Sequence, residues 1–316
     1  MNMNRVASQT RSAAVERAQR LIRKNGTSWI WKIVRTLFII GISYIFLFPV
    51  LYMISMAVRS PETVNDPSAV WIPRDISLES IRIAMSPEIL DYWRSISLTL
   101  LIAVGSTVGS LASCSLVGYG FARFRFKGKN FMFALLLLTI IVPPQTMVLS
   151  SVLNFRNLHL LDTPFTFIMP AFLASGLRAG LFVYIFRQFF LGIPGELEEA
   201  ARIDGCHAFS TFVRIILPLA KPAIVTVLLF SFIWHWNDYS LSAIYFTNGK
   251  PISVMLNEMQ SQLQNAKLFN FVTNTPDQIR TYLQAGALLT ILPPLVLYIF
   301  TQRLFTESVE RTGIVG

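Results

Sequence analysis

The stretch Pro194-Gly195-Glu196-Leu197-Glu198-Glu199-Ala200-Ala201-Arg202-Ile203-Asp204-Gly205 is polar, while the chain on either side of it is apolar. Pro194 and Gly195 break whatever helix precedes them. Glu196, Glu198 and Glu199 then crowd one turn, where the unpaired amides of a helix start favour negative charge. Ala200 and Ala201 continue the helix with little bulk, and Gly205 suits the left-handed residue that ends one. Phe209, Phe212, Val213 and Ile216 recur at three- and four-residue spacing, which predicts a second short helix with one apolar face. Pro218 is expected to close it. The reading is helix, glycine turn, helix, with an acidic, small-residue surface on the first arm that suits insertion into a groove on another protein. A hairpin lying on the bilayer is the alternative. Its acid-rich first arm argues against that, because membrane-surface helices carry Lys and Arg.

Outside this hairpin the chain reads as an all-α membrane protein. Of its 316 residues, 53% are hydrophobic and 14% charged, against roughly 25% charged in soluble domains. Mean hydropathy is +0.53. Crossing a bilayer takes about 20 apolar residues. Runs of that length predict six transmembrane helices, at 36–58, 95–122, 131–153, 165–190, 219–243 and 285–304. The expected organisation is a basic segment 1–35, a first span 36–58, a transmembrane domain 95–303 containing the loop 191–218, and a tail 304–316.

An even count puts both termini on one side, and charge says which. Residues 1–35 hold eight Lys or Arg and one acid, Glu16. Arg123, Arg125, Lys127 and Lys129 follow the second span, and Arg187, Arg202, Arg214 and Lys221 flank the hairpin. With Arg303 and Arg311 at the C-terminal end, these segments hold eighteen of the 27 basic residues. By the positive-inside rule both termini and the Glu199 loop are cytoplasmic, in a multi-pass protein of the inner or plasma membrane, with lipid as its surroundings. The basic head has no apolar run before residue 36, so it is not a signal peptide. Its charge serves topology, and no nucleic-acid partner is expected. The opposite loops, 59–94 and 244–284, are too long for simple turns and are candidates for contact with an external partner. Val254, Met255, Met259 and Leu263 predict a short amphipathic helix in the second.

Polar and small residues within the spans leave alternatives open. Gly105, Gly109 and Ser113 recur every four positions, which suits either close helix packing or a path lined by small residues. Pro49, Pro143-Pro144, Pro170 and Pro293-Pro294 mark span ends or breaks, tolerated in a membrane only where something satisfies the freed carbonyls. Trp236, Asn237 and Asp238 are candidates for lining a translocation path; a structural bond between spans or a place at the outer interface is the other reading. Arg178, inside the fourth span, is read as structural.

The hairpin resembles a known family. Glu199-Ala200-Ala201, three residues, Gly205, nine residues, Ile215, one residue and Leu217-Pro218 match, at every spacing, the loop of permeases of binding-protein-dependent ABC importers. The stretch 118–124, the Trp236-Asn237-Asp238-Tyr239 run and the last span, 285–303, are similar to the carbohydrate, maltose-type branch. The tail Gly313-Ile314-Val315-Gly316 resembles that branch's terminus but has Val315 where a basic residue is usual. The resemblance implies a type-1 ABC importer permease architecture and a sugar or oligosaccharide as substrate. It also implies two cytoplasmic ATP-binding subunits, a second permease subunit and an extracytoplasmic solute-binding protein. It assigns ATPase coupling to Glu199, Ala200, Ala201, Arg202, Asp204, Gly205, Ile215, Leu217 and Pro218. A non-sugar solute, or a carrier that works without ATP, is the alternative.

Catalysis by the chain itself is not expected. Gly128-Lys129 and Gly249-Lys250 lack the upstream glycine and following hydroxyl of a phosphate loop, so ATP hydrolysis needs a separate subunit. His159, His207 and His235 stand in no metal spacing, and Cys114 and Cys206 imply no disulfide framework. No cofactor and no metal are expected.

Overall fold

The computed structural model describes the backbone of residues 3–62, 64, 73, 75–265 and 275–313, and side chains at 29, 31–62, 64, 73, 75–264 and 275–303. The side chains of the basic head up to Lys24, and the tail residues Ile314, Val315 and Gly316, lie outside the described residues. The chain forms two compact units, Met1–Ser55 and Met56–Gly316.

The first unit is carried by one long helix, α1 (Met3–Ala57), which passes through Pro49 without ending. Leu37, Phe38, Ile45 and Phe46 are exposed along it. Its Trp31–Ala57 portion is long and apolar enough to cross a membrane.

The second unit is built around α3 (Tyr92–Arg123), preceded by the short α2 (Glu79–Ala84). The chain continues through α4 (Lys129–Ile141), a 3-10 turn at Pro144–Met147, α5 (Val148–Asn157), α6 (Phe165–Phe172) and α7 (Ala179–Leu191). The hairpin follows as α8 (Glu196–Ile203) and α9 (Ala208–Thr211), then a π turn at Phe212–Ile216 and α10 (Leu217–Leu219). The unit ends with α11 (Lys221–Asn237), α12 (Ser242–Tyr245), α13 (Ile252–Asn265) and α14 (Pro276–Gly313). The expected amphipathic outer helix is α13, with Val254, Met259 and Leu263 buried.

Six unbroken spans are not found. Among the described residues three helices are long and apolar enough by themselves, and five spans result if each bent pair counts as one. The third expected span turns by 99° between Ile141 and Pro144. Pro143 and Pro144 each lack the N–H that would carry the helix onward. The fourth is two helices, α6 and α7. Between them Ala174 and Arg178 take left-handed backbone angles, φ 53° and 59°.

The α6–α7 break is braced by α3. Ser113 Oγ donates to Ala171 O at 2.6 Å, and Cys114 Sγ contacts Ala179 O at 3.8 Å. The small-residue edge of α3 is therefore used for packing. A Cβ at Gly109 would come 2.7 Å from the Phe172 ring and 3.0 Å from Phe172 N, so only glycine allows that approach.

Pro293 and Pro294 do not break α14. Their missing N–H groups leave Leu289 O and Thr290 O without helical donors. Tyr92 Oη donates to Leu289 O at 3.4 Å, and Trp236 Nε1 to Thr290 O at 3.2 Å. On the side opposite the hairpin, Asp162 receives Thr247 N at 2.6 Å, Thr247 Oγ1 at 2.8 Å and Asn248 N at 2.8 Å. Partial burial alone would raise the Asp162 carboxyl, but the bonds from Asn248 and Thr247 hold it below the ordinary carboxylate range.

Trp236→Phe keeps the ring stacked on Phe232 but removes the donor to Thr290 O. Leaving that buried carbonyl unpaired is expected to lower stability by about 1–3 kcal/mol, measured as a shift in detergent-solubilised thermal unfolding.

Candidate functional site

The hairpin is ordered by local chemistry at both ends of its turn. Gly205 has φ 81°, and a Cβ there would meet nothing within 4 Å. Its N–H donates to Arg202 O at 3.1 Å, and Cys206 N donates to Ala201 O at 2.9 Å. These are the paired bonds of a Schellman stop, which a left-handed residue after the helix makes possible. The next helix begins on His207, whose Nδ1 accepts from Ser210 N at 3.3 Å. His207 is thus a helix cap. The π turn then adds a residue to one turn, and the second arm runs to Leu219, one residue past the expected end. Pro218 stands where the π turn passes into α10, inside the continuous arm. The arm meets α11 at 79°.

The motif residues divide between two faces. Glu199, Ala200, Arg202, Asp204, Gly205 and Pro218 are exposed. Ile203 is 86% exposed, and Leu197, Phe209 and Val213 are exposed with it. Ala201 is buried, while Ile215 and Leu217 pack against the core. The second arm's expected single apolar face is split. Phe212 and Ile216 enter the core, while Phe209 and Val213 stay outside. The sequence reading emphasised an acidic and small surface on the first arm. It missed the exposed apolar group formed by Ile203, Phe209 and Val213.

It also missed what holds the hairpin. Glu198 turns inward with Ala201, three residues on, and its side chain is only 14% exposed. Arg123, the last residue of α3, places Nε 2.7 Å from Glu198 Oε1 and donates from Nη2 to Ile193 O at 2.6 Å. Tyr119, one turn back along α3, lies with its ring centroid 4.9 Å from that of Phe212. Each arm is therefore joined to α3, one through charge and one through an aromatic contact. The signal available in sequence was the i, i+3 spacing of Glu198 and Ala201.

The three path candidates are neighbours in sequence but not in environment. Trp236 is fully buried, stacked on Phe232 at 5.5 Å and bonded to Thr290 O. Asp238 is half-buried; its Oδ2 accepts from Ser242 N at 2.8 Å, and its backbone O accepts from Ser253 Oγ at 2.7 Å. Only Asn237 presents an exposed side chain. Arg178 places its guanidinium carbon 5.6 Å from the Trp234 ring centroid, a cation–π distance. It lines a cleft of about 860 Å³ between α4 and α5 on one side and α6 and α7 on the other. Among the described residues no group of three metal-binding side chains occurs.

Gly205→Ala tests the turn directly, since no clash accompanies the added methyl. The left-handed angle is expected to cost about 1–2 kcal/mol, read as faster amide exchange at Cys206 and at residue 205.

A family profile described as binding-protein-dependent transport system inner membrane component matches residues 114–310. The arabinooligosaccharides transport system permease protein AraQ of Halalkalibacterium halodurans is 30% identical over 295 residues, covering 93% of this chain and 100% of that one. The polygalacturonan/rhamnogalacturonan transport system permease protein YtcP of Bacillus subtilis is 27% identical over 283 residues, covering 88% and 96%. A crystal structure of a bacterial ABC transporter involved in the import of the acidic polysaccharide alginate contains a similar chain. The TM-score is 0.75 at 25% identity, covering 87% of this chain and 96% of that one. The profile spans more than half of the sequence, including the hairpin and the α3 residues Tyr119 and Arg123 that contact it. The chain belongs to the inner-membrane permease subunits of binding-protein-dependent ABC importers.

Proposed function

We propose that this permease carries a sugar or oligosaccharide across the membrane and is driven by ATP hydrolysed on two separate subunits. A second permease subunit completes the path, and an extracytoplasmic solute-binding protein delivers the substrate. Both termini and the hairpin face the cytoplasm. The hairpin seats α8 in a cleft of an ATP-binding subunit, with Glu199, Ala200, Arg202, Asp204, Gly205 and Ile203 toward the partner and Ala201, Ile215 and Leu217 toward this chain. Asn237 faces the path, held there by the buried Trp236 and the Asp238 turn.

One observation supports docking above the others. An exposed apolar group on a polar loop, Ile203 with Phe209 and Val213, stands on a hairpin fixed to the spans at both arms. Exposed apolar side chains held on a rigid element suit a protein partner. The carbohydrate reading draws support from relatives named for oligosaccharide and polysaccharide transport.

The test is co-purification of ATP-binding subunits with Glu199→Lys and Ile203→Asp forms of the chain. Each change strikes the proposed docking face and is expected to weaken association by about 2 kcal/mol, roughly thirtyfold, with the spans still inserted. Normal co-purification of both variants would contradict the reading.

A further inference from the structure

The corner between α7 and α8 has little to hold its angle. Pro194 has no N–H. On the α7 side, Ile193 N reaches back to Phe190 O; on the α8 side, Glu198 N and Glu199 N reach back to Gly195 O. Among the described residues none of these backbone bonds crosses from one side of Pro194-Gly195 to the other. Arg123 does cross it. Its Nη2 takes Ile193 O at 2.6 Å on the α7 side, and its Nε meets Glu198 Oε1 at 2.7 Å on the α8 side.

We propose that Arg123 and Glu198 are positioning residues that fix the angle of α8 against α3 and α7, so that a push on α8 moves both helices together. This rests on the docking reading above and goes beyond it by naming what carries the movement inward. Neither residue belongs to the exposed face, since their side chains are 17% and 14% exposed. A guanidinium suits the place because one group spans a hydrogen bond to Ile193 O and an ion-pair contact with Glu198, which the compact ammonium of lysine matches less well. Tyr119 contacts Phe212 on the second arm and hydrogen-bonds Glu198 on the first, so losing the ion pair loosens the first arm without releasing the hairpin.

The experiment uses the whole complex, with ATP-binding subunits and partner permease, and compares amide exchange before and after trapping with ATP and vanadate. In the unaltered complex, trapping is expected to change exchange in α8 and also in residues 118–124 and 186–193. With Glu198→Gln or Arg123→Ala, the ATP-binding subunits are expected to stay attached and the α8 response to remain. The response at 118–124 and 186–193 is expected to fall roughly tenfold, within the range that small misplacements far from the chemistry can cost. Arg123→Lys should fall between.

An undiminished response in Glu198→Gln, which keeps the side chain's shape, overturns the proposal even if Arg123→Ala fails to assemble. Loss of the ATP-binding subunits from Glu198→Gln also overturns it, because the pair would then support docking itself. Failure of the docking reading shows elsewhere, as subunits that remain bound to both Glu199→Lys and Ile203→Asp.

Discussion

Side chains of α3 that reach backbone carbonyls of neighbouring segments are what the rest of the second unit depends on. Tyr92 serves Leu289 O, Ser113 serves Ala171 O, Cys114 approaches Ala179 O, and Arg123 serves Ile193 O. An unpaired carbonyl within hydrocarbon costs several kcal/mol, so a broken or proline-bearing helix is stable there only beside such donors. Glycines on the same helix bring those neighbours close enough for short side chains to reach. One unbroken helix thereby supports irregular ones, and its last residue contacts both sides of the corner that leads into the hairpin.

The hairpin shows the division of labour that follows. Its motif residues do not form one surface. Ala201, Ile215 and Leu217 are small or apolar because they meet the core; Glu199, Ala200 and Ile203 are where they are because they do not. The same eight-residue helix therefore has one side committed to this chain and one side left exposed. The turn between the arms needs no partner to form, since Gly205 and His207 satisfy the backbone locally.

How far the sequence could be read follows from the range of the physics involved. The glycine stop, the acid-started helix and the outer amphipathic helix are local patterns, and each is present. The span count was legible only as apolar length. That Pro143-Pro144 would bend a helix by 99° while Pro293-Pro294 would not depends on distant donors: Tyr92 and Trp236 reach α14 from other elements. The bond of Trp236 to Thr290 O was not legible because its partner lies 54 positions away. Phe209 and Val213 matched a helical face, but the π turn and the approach of Tyr119 decided which aromatic was buried. Arg123 and Glu198 are 75 positions apart in number, and nothing in either segment alone announces the pair.

In the proposed function, substrate movement rests on a mechanical link from an outside protein, through α8, into the spans. The most direct measurement of that claim is site-specific photocrosslinking from Ile203, carried out in the assembled complex. The account predicts a crosslink to the ATP-binding subunit. A probe at Ile203 that captures only lipid or another segment of this chain would contradict it.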